Sequence, residues 1–243
     1  MTLRILATAV MAALLTAQPA AAQDPRAVVE LFTSQGCSSC PAADRLLAEL
    51  ATDRSVIALS LNVDYWEYLG WKDTLALKGH TERERAYAKA RGDREVYTPQ
   101  AVVNGLLPVL GSDKGAIETA IAKTSRSAAP LALPVTLKVE NDKVSVSVPD
   151  AKDERASGEV WLCPVTSKAI VAIARGENSG KTITYHNVVR RWVKLGDWTG
   201  KAETFSAPLK DVAGADIDSF AVLVQSGVAA KPGVVLGAAM TAR

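Results

Sequence analysis

The chain has 243 residues, with 28 Lys and Arg against 26 Asp and Glu, and 48% of it is hydrophobic. So even a balance supplies no electrostatic footprint for nucleic acid or anionic lipid. Three cysteines are too few for a disulfide-stapled scaffold, so a hydrophobic core must hold the fold.

Residues 1–22 contain one basic residue, Arg4, then the apolar stretch Ile5 to Leu15, then small residues ending in Ala20, Ala21 and Ala22. This is the pattern of a secretory signal peptide with an AxA cleavage site. The mature chain is expected to begin near Gln23 and to work in a bacterial periplasm or outside the cell, where disulfides persist. No later apolar run approaches the roughly 18 to 20 residues of a membrane-spanning helix, so no membrane association is expected after cleavage.

Val28 to Thr33 reads as a buried strand, Ala42 to Leu50 as a helix with Ala43, Leu46, Leu47 and Leu50 on one face, and Val56 to Val63 as a second buried strand. A further helix is predicted over Thr81 to Ala90, with Thr81 and Glu84 as a capping box. A hairpin of Ala101–Val103 and Leu107–Leu110 turns at Asn104 and Gly105. A last helix runs from Ser112, its expected N-cap, to Lys123. Buried runs alternating with helices imply parallel strands joined by crossover helices.

Beyond about Ser127 to Leu133 the rhythm changes to short alternating strands, beginning with a hairpin through Val135 to Val139 and Val144 to Val148. Further strands are predicted at Glu159–Val165, Ala169–Ala174, Thr182–Val189, Arg191–Leu195, Ala202–Ser206, Ser219–Gln225 and Val234–Ala239, with turns such as GENSG between them. Many short strands with polar turns suggest a β-sandwich. The expected organisation is a signal peptide over 1–22, an α/β domain over 23–129 and a β-rich domain over 130–243.

Between the first strand and the first helix stands CSSC, with Cys37 and Cys40 three positions apart. Two thiols so spaced at a helix start can close a small disulfide ring, and the helix end stabilises whichever sulfur becomes a thiolate. Pro41 fits the first turn, where a missing amide hydrogen costs little. Redox chemistry is the leading reading.

The order strand, CxxC, helix, strand, helix, then Thr-Pro opening a hairpin, then helix, resembles the thioredoxin fold. The fold class expected from it is an α/β thioredoxin-like domain, a mixed sheet flanked by helices, followed by an all-β sandwich-like domain. The resemblance implies that Cys37 is the exposed nucleophile and Cys40 the resolving thiol. It also implies that Pro99 is cis and that Thr98 presents its backbone to a thiol substrate. Glu30, the one acid in the preceding strand, is similar to the buried acid that moves the resolving thiol's proton in thioredoxins; an acid facing water at a strand edge is the alternative. Gly36 stands where thioredoxins carry tryptophan. Read together, VVELFTSQGCSSCPAAD, NVDYWEYLGWKD, YTPQAVVNG and GENSGKTITYHNVVR resemble the secreted bacterial family catalogued as domain of unknown function 1223.

Tyr65, Trp66, Tyr68 and Trp71 could form an apolar lip over the disulfide, with Trp66 contacting substrate, or could pack a long loop onto the sheet. His80 and His186 are scattered, and Cys163 lies on an apolar strand pattern as a buried free thiol, with exchange with Cys37 or an intermolecular bridge as the alternative. No phosphate-cradling, dinucleotide, nucleophile-elbow or HExxH motif occurs. The expected function is a thiol-disulfide oxidoreductase without cofactor or metal, acting on periplasmic proteins or small thiols. A binding or scaffold protein with a structural disulfide, and a Cu(I)-handling protein using the CxxC, are the alternatives.

Overall fold

Seven consecutive buried residues make the first strand, β1 (Ala27–Thr33), and seven more make β2 (Val56–Asn62). The two pair in parallel, from Ala27 opposite Val56 to Thr33 opposite Asn62. Runs this continuously buried are what strands covered on both faces show. This computed structural model describes residues 24–127, 129–153 and 156–241; the signal peptide expected over 1–22 lies outside the described residues.

Helix α1 (Cys40–Leu50) crosses from β1 to β2 and buries Ala43, Leu46, Leu47 and Leu50 against Val29 and Leu31. Helix α2 (Lys78–Arg91) lies on the opposite face, where Tyr87 packs with Val28 and Phe32. It starts three residues before the predicted Thr81, and Thr81 does not cap it: the Thr81 hydroxyl instead donates to Asp64 Oδ1. β3 (Gln100–Val103) and β4 (Leu107–Leu110) form the predicted hairpin, with Asn104 at φ 53° and Gly105 at φ 72° in its turn. α3 (Lys114–Thr124) is capped by Asp113, which accepts from the Ala116 amide at 2.9 Å, rather than by Ser112.

The remaining strands are β5 (Thr136–Glu140), β6 (Lys143–Val148), β7 (Gly158–Ala172), β8 (Thr182–Val189), β9 (Val193–Trp198), β10 (Glu203–Pro208), β11 (Ser219–Val228) and β12 (Lys231–Met240). β7 takes in both predicted segments, Glu159–Val165 and most of Ala169–Ala174, as one strand of 15 residues.

A helix-flanked thioredoxin-like domain followed by a separate sandwich is not what the chain forms. One mixed sheet of nine strands runs in the order β12-β11-β7-β8-β2-β1-β3-β4, with β9 paired to β7, so it draws strands from both halves of the sequence. A three-stranded sheet, β10-β6-β5, covers part of one face. There Val146, Val148 and Phe205 pack on Val160, Trp198, Val222 and Val224. Strands predominate, and the antiparallel pairs of β7, β8, β11 and β12 extend far beyond the helices.

The join lies at β2 and β8, which pair in parallel with Ser60 opposite Val188. Beside it the Asn187 side-chain amide donates to the Ala58 carbonyl at 2.8 Å. The edge of β2 would otherwise present unpaired backbone groups, and β8 covers it. Periodicity reports which faces of an element are apolar, but not which edges meet. Among the described residues no helix is long and apolar enough to cross a membrane.

Candidate functional site

The segment between β1 and α1 is held from beneath by polar side chains. Gln35, fully buried, donates its backbone N–H to Asp73 Oδ2 at 2.8 Å and accepts from the Trp71 indole at 2.8 Å through Oε1. Asp73 also accepts from the Asn62 side chain at 3.1 Å and from the Leu75 amide at 2.8 Å. Burial drives the Asp73 pKa up while these donors pull it back. The backbone on which the first cysteine sits is therefore fixed on several sides.

Cys37 and Cys40 form a disulfide, with Cα atoms 5.4 Å apart. Cys40 opens α1, Ser39 precedes it and Pro41 occupies the first turn. The Cys37 sulfur lies 3.7 Å from the Thr98 carbonyl oxygen and 3.4 Å from the Ser39 hydroxyl. The Thr98–Pro99 bond is cis. Thr98 is held in turn by Trp66, whose indole N–H donates to Thr98 Oγ1 at 2.8 Å. Gly36 makes room for the close approach of the Trp66 main chain: a Cβ at Gly36 would stand 3.0 Å from Trp66 Cβ and 3.3 Å from its carbonyl oxygen. Tyr68 stacks on Trp66 with ring centroids 6.3 Å apart and is 77% exposed. Cys37, Cys40, Thr98, Pro99 and Trp66 thus come together.

Glu30 does not join them. It stands between Val29 and Leu31, whose side chains face α1, so its own side chain points to the α2 face of the sheet. There Arg83 Nε donates to Glu30 Oε1 at 2.6 Å and the Tyr87 hydroxyl donates to Oε2 at 2.6 Å. Arg83 also donates to Gln225 Oε1 at 2.8 Å and lies over the Trp192 ring. Glu30 is the anion of a buried ion pair that ties β1, α2 and β11 together. Neither of its sequence readings, proton carrier or water-facing edge residue, describes that.

The acid on the dithiol side is Asp44, which the sequence analysis did not single out. It lies one turn beyond Cys40 on the buried face of α1. The Thr33 hydroxyl donates to its Oδ1 at 2.7 Å, and Oδ2, also buried, has no hydrogen-bond partner among the described residues. Burial, with a smaller contribution from the Asp73 charge, pushes its pKa up to about 7. Tyr185 on β8 has a buried hydroxyl, likewise without a hydrogen-bond partner among the described residues, and burial, with the charges of Asp44 and Asp73 adding to it, raises its pKa. The i, i+4 relation of Cys40 and Asp44 was the available signal.

Both sulfurs are covered: Cys37 is 1% exposed and Cys40 0%. The exposed first cysteine that the thioredoxin resemblance implied is not found. The turn between β7 and β8, the GENSGK segment, is bonded to the backbone around Cys37. Asn178 Nδ2 donates to the carbonyls of Gln35 at 3.0 Å and Cys37 at 2.8 Å, and the Ser38 amide donates to Glu177 Oε2 at 3.1 Å. The Lys181 ammonium donates to Asn178 Oδ1 at 2.8 Å.

The family model described as "Protein of unknown function (DUF1223)" matches residues 28–225. The chain belongs to this family. The matched stretch takes in the dithiol, Asp44, the Thr98–Pro99 segment and the β7–β8 turn of this DUF1223 protein. A crystal structure of a protein from Agrobacterium tumefaciens is 35% identical, covers 90% of this chain and 94% of its own, and superposes with a TM-score of 0.81. HBP35 of Porphyromonas gingivalis, 13% identical, covers 90% of this chain and 75% of its own with a TM-score of 0.60, a likeness of fold alone. No curated protein matches the chain.

Among the described residues of this family member, no three His, Cys, Asp or Glu side chains converge as a metal site. His80 is buried within α2 with Nδ1 2.9 Å from the Asn62 carbonyl oxygen, and burial lowers its pKa to about 4. Cys163 is a buried free thiol on β7, its pKa pushed well above the usual thiol range by burial.

Proposed function

We propose that this protein is an exported thiol-disulfide oxidoreductase of the periplasm or extracellular space. Its partners are proteins or small molecules that carry thiols or disulfides. The observation that carries the reading is the Cys37–Cys40 disulfide at the head of α1, with the Thr98 carbonyl beside one sulfur and the Asp44 carboxyl one turn below the other.

In the reduced form the Cys37 thiolate, favoured by the helix start, attacks one sulfur of a partner disulfide. The Cys37–partner bond forms, the partner S–S bond breaks, and its second sulfur leaves as a thiolate that takes a proton from water. Cys40 then gives its thiol proton to Asp44 and attacks the Cys37 sulfur. The Cys37–Cys40 bond forms, the mixed disulfide breaks, and the remaining partner sulfur leaves as a thiolate that is protonated. Two electrons have passed from the dithiol to the partner, and the steps run in reverse when the partner brings two thiols. A carboxyl titrating near neutrality suits this transfer at working pH.

The test is the equilibrium of the pair with a thiol buffer, together with insulin reduction and oxidation of a thiol peptide. We expect a reversible couple between about −300 and −100 mV, the span from resistant structural bridges to strong oxidants. A Cys40→Ser variant should accumulate mixed disulfides on Cys37 in cells. A pair with no couple in that range and a variant that traps nothing would overturn the proposal. The burial of both sulfurs favours a second reading, a binding or scaffold protein with a permanent disulfide, and the same measurement separates the two.

A further inference from the structure

The turn between β7 and β8 reaches the dithiol from the other half of the sequence, since Asn178 and Cys37 are 141 positions apart. Asn178 is itself fully buried, with both of its side-chain amide bonds directed to the backbone on either side of Gly36. Glu177 holds the next amide, that of Ser38. The turn is bounded by Gly176 at φ 77° and Gly180 at φ 80°, left-handed conformations that glycine adopts without strain. A Cβ on Gly176 would stand 3.3 Å from Trp71 Cβ, so the turn also rests on the aromatic loop. With the turn in this position Cys37 is 1% exposed although Ser38 and Ser39 beside it are exposed.

We propose that Asn178 is a positioning residue that decides access to the dithiol: it latches the β7–β8 turn over the Cys37 sulfur, and exchange proceeds only from a form in which that latch has opened. In-line attack on a disulfide needs the sulfur exposed along the bond being broken, and neither sulfur offers that path in the latched form. Opening exchanges two amide-to-carbonyl bonds and one carboxylate-to-amide bond for bonds to water, a modest cost, so the open form is a minor species that reacts. A partner that supplies its own donors to the Gln35 and Cys37 carbonyls stabilises the open form and is selected over one that does not. The inference deepens the oxidoreductase reading and rests on it for its physiological meaning.

The test is the rate at which tris(hydroxypropyl)phosphine, a neutral reductant unaffected by the loss of a carboxylate, reduces the Cys37–Cys40 disulfide. The proteins compared are the wild type, Asn178→Ala, Asn178→Asp and Glu177→Ala. Loss of the two amide bonds should speed reduction by roughly ten-fold or more in both Asn178 variants. Loss of the single Glu177 bond should speed it by about three-fold. The urea midpoint of the reduced protein should fall in the Asn178 variants but stay in place for Glu177→Ala, whose faster reduction therefore cannot come from lost stability. Because Glu177 is exposed, its truncation leaves the fold intact and decides the matter if the Asn178 variants do not fold. Unchanged rates in the folded variants would overturn the latch. These rates ask only whether the sulfurs are covered. A latch on a disulfide that never exchanges with protein thiols, and an exchanging disulfide without a latch, therefore give different results in the two sets of experiments.

Discussion

At neutral pH the Asp44 carboxyl stands between its charged and neutral forms, because burial pushes its pKa up to about 7 while the Thr33 hydroxyl and, more weakly, Arg45 oppose the shift. An unfolded Asp loses its proton near 3.9. Between about pH 4 and 7 the folded protein therefore binds more protons at this site than the unfolded chain. The group's stabilising contribution is complete below about pH 4 and is lost as the pH rises to 7. Asn cannot titrate, so Asp44→Asn should gain stability relative to wild type across that interval. The gain should reach up to about 4 kcal/mol, at about 1.4 kcal/mol per pKa unit, and stay flat above it. Urea midpoints at pH 4, 5.5, 7 and 8 measure it; a difference that stays constant across them would refute the assignment. His80, kept neutral by burial, acts with the opposite sign in both proteins and cancels. The same variant should slow resolution of a mixed disulfide at pH 7 by about 100-fold, the lower end of what a positioned acid–base group supplies.

The contact of β2 with β8 rests on few bonds, and Asn187 is central to it. Its backbone is at φ 50°, a conformation that asparagine tolerates better than most residues, and its amide satisfies the Ala58 carbonyl. Asn187→Ala should cost about 1–3 kcal/mol, the penalty of leaving a buried backbone group unpaired. Urea unfolding with an unchanged m-value checks this. This element also marks where sequence reading stops. β1, α1 and the β3–β4 hairpin were legible because their apolar spacing and turn residues are local. Cys37, Cys40, Thr98 and Pro99 were legible because their pattern stands within the chain's first half. GENSGK was legible as a turn, but not as one bonded beside the dithiol, since nothing local to Asn178 names a carbonyl 141 positions away. Glu30 is an acid in an apolar strand and Asp44 an acid on an amphipathic helix, and neither pattern alone names its partner. Which of them faces the cysteines depends on the sheet face that each element turns toward α1.

At the scale of the whole molecule the two rhythms of the sequence meet in one sheet, and polar ties cross between them. Gln225 of β11 bonds to Arg83 and to Tyr87 of α2, and Asn178 bonds to the loop ahead of α1. A fragment of residues 24–127 loses these ties and the strand that covers β2. It should show no cooperative unfolding transition, whereas the chain over 24–241 should unfold in one step seen alike by near- and far-ultraviolet circular dichroism. A fragment that melted cooperatively would mean that the halves fold independently. Cys163, sealed in the core between the two rhythms, gives such experiments an internal clock. A thiol-specific dye finds nothing in the oxidised native protein, reaches reduced Cys37 only at the rate at which the turn beside it opens, and reaches Cys163 only when the core itself comes apart. The rates of labelling then tell opening of the turn from loss of the fold.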